Sequence, residues 1–216
     1  MAERQEGYSP ESQETKEKEP TLEEWANVYA EMEEIEDSTK ILEVFESLQT
    51  EMSEEERRDL TMPVYVKEGT TVAKAWEMIK KENPVHEYID PEMIFTLDFD
   101  KRALVAFAHF SQEPDKDTVE EKQKVPAEWE ETGQKYMSPK TAMIAREAFR
   151  RLTGKQMDEK YWTMCPESRT EHNGVVLLYF HLNEQKVHLN EISDLYNHNP
   201  HVGVRRVVSR EIKPES

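Results

Sequence analysis

The chain has a single cysteine, Cys165, among its 216 residues. An internal disulfide framework is therefore excluded, and a reducing, intracellular setting is the expectation. No apolar run approaches the roughly 18 residues that a membrane-crossing helix needs. The opening stretch MAERQEGYSPESQETKEKEP holds no apolar segment of the kind a secretory signal requires. Basic side chains are scarce as well: 28 Lys and Arg stand against 46 Asp and Glu, for a formal net charge of −18. General binding to a phosphate backbone needs clustered cations, so direct nucleic-acid binding is not expected. The chain also lacks a glycine-rich phosphate loop, a dinucleotide-binding fingerprint, a G-x-S-x-G elbow, a cysteine-rich zinc pattern and any long repeat. No cofactor is predicted beyond a divalent metal ion at the sites considered below.

What is present is charge, at 34% of residues against 36% apolar. The acidity is local. Residues 1–60 carry 20 acidic and 6 basic side chains, a net of −14, which leaves −4 for the remainder. The composition thus divides the chain in three. Residues 1–20 have almost no apolar side chains to offset ordering entropy, so disorder is expected there. Residues 21–60 read as acidic amphipathic helices, and residues 61–213 as an α+β domain.

In the helical segment, Thr21 and Glu24 have capping-box spacing, and so do Ser53 and Glu56. Leu22, Trp25, Tyr29 and Met32 recur on one helical face, and Ile41, Leu42, Phe45, Leu48 and Met52 on the next. These stripes either pack on the main domain or, through Trp25, Tyr29, Met32 and Phe45, dock into the groove of a basic protein partner.

Beyond residue 60, Pro63–Val66 reads as a strand whose proline sits at its start. Thr70 or Thr71 then caps a helix that Asn83-Pro84 ends. Residues 93–99 and 103–110 read as a hairpin, the second arm apolar on both sides and so central in its sheet. Residues 111–137 read as a long polar loop pinned by Trp129. Ser138-Pro139 is the strongest helix start in the chain, and Gly154 is its stop. Residues 140–155 are the most basic segment, read either as a solvated face partly paired with the acidic helices or as an anion or nucleic-acid patch, the one place where direct nucleic-acid binding is considered. Val175–Phe180 is a buried core strand, and Val202–Ile212 a final one. Together these elements predict a mixed or antiparallel sheet of about five or six strands flanked by helices.

Three groupings bear on chemistry. The tetrad His-Leu-Asn-Glu occurs at 181–184 and again at 188–191. On a helix, His181, Glu184, His188 and Glu191 would fall within an arc of about 80°, a donor set for Zn²⁺, Fe²⁺ or Mn²⁺ that His198 and His201 would extend. The repeat reads equally as a short strand pair, and His181 belonging to the strand would scatter the arc. Asp98 and Asp100 face one way on a strand and would hold Mg²⁺ with help from Glu92, or else serve a turn. His109 and His181 each end an apolar run and would face one cleft if their strands paired, although only His109 is followed by a hydroxyl residue, Ser111. Cys165 has no signature of a nucleophile around it.

The first reading is a non-catalytic regulatory or adaptor protein acting through its acidic helices. A second is an acidic mimic of nucleic acid that inhibits a DNA- or RNA-binding protein. A third, of another class, is a metal-dependent hydrolase or nuclease using the His, Asp and Glu residues named above.

Overall fold

A computed structural model describes residues 18–96, 103–115, 135–166, 168–193 and 200–212. The expected disorder before residue 18, Asp98, Asp100, His198, Trp129 and most of the 111–137 loop lie outside the described residues.

The chain begins with helices α1 (Leu22–Met32), α2 (Thr39–Glu51) and α3 (Glu54–Asp59). Both capping boxes form, with Thr21 and Ser53 accepting from the backbone N–H of Glu24 and Glu56. Strand β1 (Met62–Val66) leads to helix α4 (Val72–Glu82), whose N-cap is Thr71, and to β2 (Val85–Glu87). A short 3₁₀ turn, Pro91–Met93, precedes β3 (Phe95–Thr96). Then come β4 (Leu104–Ala108), β5 (Lys135–Tyr136), helix α5 (Pro139–Thr153) and strands β6 (Trp162–Cys165) and β7 (Ser168–Arg169). The chain closes with β8 (Val175–His181), β9 (Lys186–Ile192), β10 (Val202–Gly203) and β11 (Arg206–Glu211). No helix among the described residues is long and apolar enough to cross a membrane.

The architecture is α+β, and its strands divide between two principal sheets. One is antiparallel in the order β1-β4-β11-β5, and the other is mixed in the order β10-β6-β8-β9-β2. As its two apolar faces require, β4 is internal, paired with β1 on one side and β11 on the other. Of the expected hairpin arm 93–99, the described Phe95–Thr96 pairs with β7, while β1 and β11 flank β4. The final strand splits. β10 belongs to the mixed sheet and β11 to the antiparallel one, with Arg205 at the changeover.

Helix α5 packs against α1, α4, β1, β6 and β8 and is buried from Pro139 to Phe149. Ser138 accepts from the N–H of Thr141, and Gly154 ends the helix at φ 72°. A side chain at that left-handed position is strained, so Gly154→Ala is expected to cost about 1 kcal/mol. A urea titration with unchanged slope and a lowered midpoint is the check.

The basic segment is partly paired with the acidic helices, as one reading expected, but much of it is buried rather than solvated. Lys140 and Arg146 are buried, and Arg150 and Arg151 both pair with the buried carboxylate of Glu147. Arg151 also reaches Glu31 of α1, 3.0 Å away.

The aromatic stripe of the acidic helices likewise faces inward. Trp25, Tyr29 and Phe45 are fully buried, and Met32 packs against the same core. Their rings form a chain: Trp25 stacks on Tyr29, Tyr29 meets Phe45 edge-on, and Phe45 meets Phe107 of β4. The Tyr29 hydroxyl donates to the Pro63 carbonyl of β1 at 3.0 Å. Trp25, Tyr29 and Phe45 are therefore not available to a partner's groove, whereas Met32 is only partly buried. The area they remove from water is already committed to this chain's own interior.

Candidate metal centre

Strands β8 and β9 form a hairpin around the turn Leu182–Gln185, with Tyr179 opposite His188 and His181 opposite Lys186. The parallel neighbour of β9 is β2, whose register sets His86 directly opposite His188. Alternation along β2 then sorts its side chains. Glu87 turns to α4, where it accepts from the Trp76 indole N–H at 2.6 Å and lies 3.2 Å from Lys80. His86 and Tyr88 turn to the side on which His188 lies, His86 stacked on Tyr88 with ring centroids 4.3 Å apart.

His188 is only 1% exposed. Its ring is surrounded by those of His86 (5.1 Å between centroids), His181 (5.1 Å), Tyr179 (4.9 Å) and Tyr88 (5.6 Å). Neither of its ring nitrogens has a hydrogen-bond partner among the described residues. Glu184, carried by the hairpin turn, brings Oε2 to 3.4 Å from His188 Nε2 and 3.8 Å from His86 Nδ1. Donor atoms of His86, Glu184 and His188 all lie within 4.8 Å of one another, and this is the one such group of three among the described residues. Donors on a tetrahedral ion with bonds of about 2.0–2.1 Å stand about 3.4 Å apart, close to the Glu184–His188 separation.

The electrostatics suit a cation. Burial lowers the pKa of His188, reinforced by the neighbouring imidazoles and Lys186 against the opposing pull of Glu184, and this favours the neutral ring that a metal needs. Desolvation would raise the Glu184 carboxyl, but His188, His181, Lys186 and His86 together outweigh it and hold it below its ordinary value.

Of the four candidate donors in the repeated tetrads, the structure brings His181, Glu184 and His188 near one another and separates Glu191. His181 stacks on His188, accepts the Glu184 backbone N–H at Nδ1, 3.3 Å away, and lies 3.7 Å from Glu184 Oε1, so it borders the three donors and supports the turn that carries one of them. Glu191 lies apart, because residues 188 and 191 face opposite sides of a strand. Its carboxylate takes the Thr170 hydroxyl and lies 3.5 Å from His172. His201 is separated from the group by the stacked rings of Trp162 and Tyr179. His109 and His181 do not share a cleft through strand pairing, since β4 and β8 belong to different sheets. Cys165 is buried in the main core.

His86 was not singled out from the sequence. Its only local signal is the alternation Val85-His86-Glu87-Tyr88, four residues long. A comparison of the chain with protein-family models, with curated proteins and with solved structures finds no match in any of the three, so the reading of this site rests on its own geometry.

Proposed function

We propose that this protein binds one divalent transition-metal ion through His86, Glu184 and His188, and that the ion activates water for hydrolysis. The observation that carries the reading is the buried His188 ring, neither nitrogen hydrogen-bonded among the described residues, with Nε2 3.4 Å from the Glu184 carboxylate and a second imidazole beside it. Leaving buried polar atoms unmatched costs about 1–3 kcal/mol each, and a metal bond would satisfy one of them.

Two imidazoles and one carboxylate suit Zn²⁺ first, with Fe²⁺ and Mn²⁺ as competitors, and do not suit the all-oxygen preference of Mg²⁺ or Ca²⁺. Three protein donors leave at least one position open. A water molecule there would have its pKa lowered towards neutrality, which makes hydroxide available as a nucleophile.

Zinc titration of the metal-free protein by calorimetry tests the assignment. One ion per chain is expected, and His188→Ala or His86→Ala should weaken binding by more than about 100-fold. Glu191→Gln should leave the affinity unchanged, since that carboxylate faces Thr170 and His172. Wild-type protein that takes up no zinc, or an unaltered affinity in His188→Ala, would remove the proposal.

A further inference from the structure

The surroundings of the three donors carry two features that the binding of an ion does not use. The first is a pair of aromatic and apolar groups partly open to solvent, one face of the aromatic ring being covered by His86. Four large hydrophobic side chains are exposed among the described residues: Tyr88, Met93, Phe95 and Leu182. Two of them border the site. Tyr88, 52% exposed, lies parallel to the His86 ring, with an interplanar angle of 7°. Leu182, 49% exposed, belongs to the turn that carries Glu184. Exposed tyrosine beside a polar centre is a common recognition element, because one ring offers a flat apolar face at little entropic cost.

The second feature is charge. Lys186 places its ammonium 3.8 Å from Glu184 Oε2. A divalent ion, one carboxylate and one ammonium leave the centre cationic, so an anionic oxygen donor is favoured at the open position.

Resting on the metal assignment above, we infer that the ligand taken at the open position is an aromatic anion, a planar ring bearing a carboxylate-type oxygen donor, with its ring against Tyr88. The corresponding substrate class is an ester or amide of an aromatic acid. In its hydrolysis the oxygen of a water at the open position would bond to the acyl carbon as the carbon–oxygen or carbon–nitrogen bond to the leaving group breaks, and a bound ion would supply the lowered water pKa that makes that oxygen nucleophilic. Of the two water protons one would be released to solvent and the other would pass to the departing alcohol or amine, leaving an aromatic carboxylate.

Two simple metal-binding acids separate the ring's contribution from the metal's. Zinc-loaded protein is titrated with benzohydroxamate and with acetohydroxamate, after zinc affinity has been measured for each variant. Benzohydroxamate is expected to bind at least about fivefold more tightly than acetohydroxamate in wild type. Tyr88→Ala should abolish that ratio and Tyr88→Phe should retain it, since the ring and not the hydroxyl supplies the contact. Equal affinity for the two acids in wild type, or a ratio that survives Tyr88→Ala, would overturn the aromatic specificity while leaving the metal assignment intact. Failure to bind zinc at the outset would overturn both.

Discussion

Asp158→Asn is expected to destabilise the protein by about 3–5 kcal/mol, because it strips the countercharge from two buried arginines. Asp158 is 2% exposed, and its carboxylate accepts from Arg205 Nη2 at 2.7 Å, Arg146 Nη1 at 3.1 Å and the Thr163 hydroxyl at 2.8 Å. Arg205 is the changeover residue between β10 and β11, and it also donates to the carbonyls of Ser111 and Gln112. Arg146 comes from the middle of α5 and donates to the Met157 carbonyl. One carboxylate therefore ties the central helix to the point where the chain leaves one sheet for the other.

Burial pushes the Arg146 guanidinium down to about 10 even with Asp158 beside it, so the arginine stays charged at neutral pH and needs its partner. Asparagine is the informative replacement. Asp158 has φ 60°, a left-handed conformation that asparagine tolerates, so the loss reports charge rather than backbone strain. The melting temperature should fall by about 10 °C, at 2–4 °C per kcal/mol for a chain of this size. Adding Arg146→Met should return part of the loss by removing one stranded charge, a coupling that a double-mutant cycle reads directly. A change below about 1 kcal/mol would mean that the arginines are hydrated in solution.

The second large effect belongs to the acidic helices. Trp25→Ala is expected to cost about 3–5 kcal/mol, the range for deleting a large aromatic from a packed core. Trp25 is fully buried between Tyr29, stacked at 6.1 Å, and Phe110, edge-on at 6.2 Å. Glu23→Ala, on the exposed side of the same helix, should change stability by no more than about 0.5 kcal/mol. Urea unfolding of the two variants decides the matter. An outward docking stripe would predict the reverse of this result, with Trp25→Ala neutral for folding and costly only for a partner.

The two predictions show where a local reading succeeded and where it stopped. The caps at Thr21, Ser53, Thr71 and Ser138 and the left-handed stop at Gly154 formed as their residue types require. The central place of β4 followed from its double apolar face. The stripe through Trp25, Tyr29 and Phe45 was equally plain, but its direction was not. An amphipathic helix has an apolar face whether its own domain or another protein covers it. Likewise the His-Leu-Asn-Glu repeat satisfied a helical arc on paper. The turn at Leu182–Gln185 bent it into a hairpin, which kept Glu184 with His188 and sent Glu191 away.

What the residues determined by themselves is what neighbours within a few positions can settle: caps, turns, the period of an apolar stripe, and the confinement of negative charge to the first quarter. Those features depend on short-range sterics and hydrogen bonds, which any stretch carries with it. Only the tertiary structure decided which sheet each strand joined, that the acidic helices close the main core, and that His86 stands opposite His188. Such pairings join segments far apart along the chain. They are selected by the burial and register of the whole fold, and no local stretch encodes them alone.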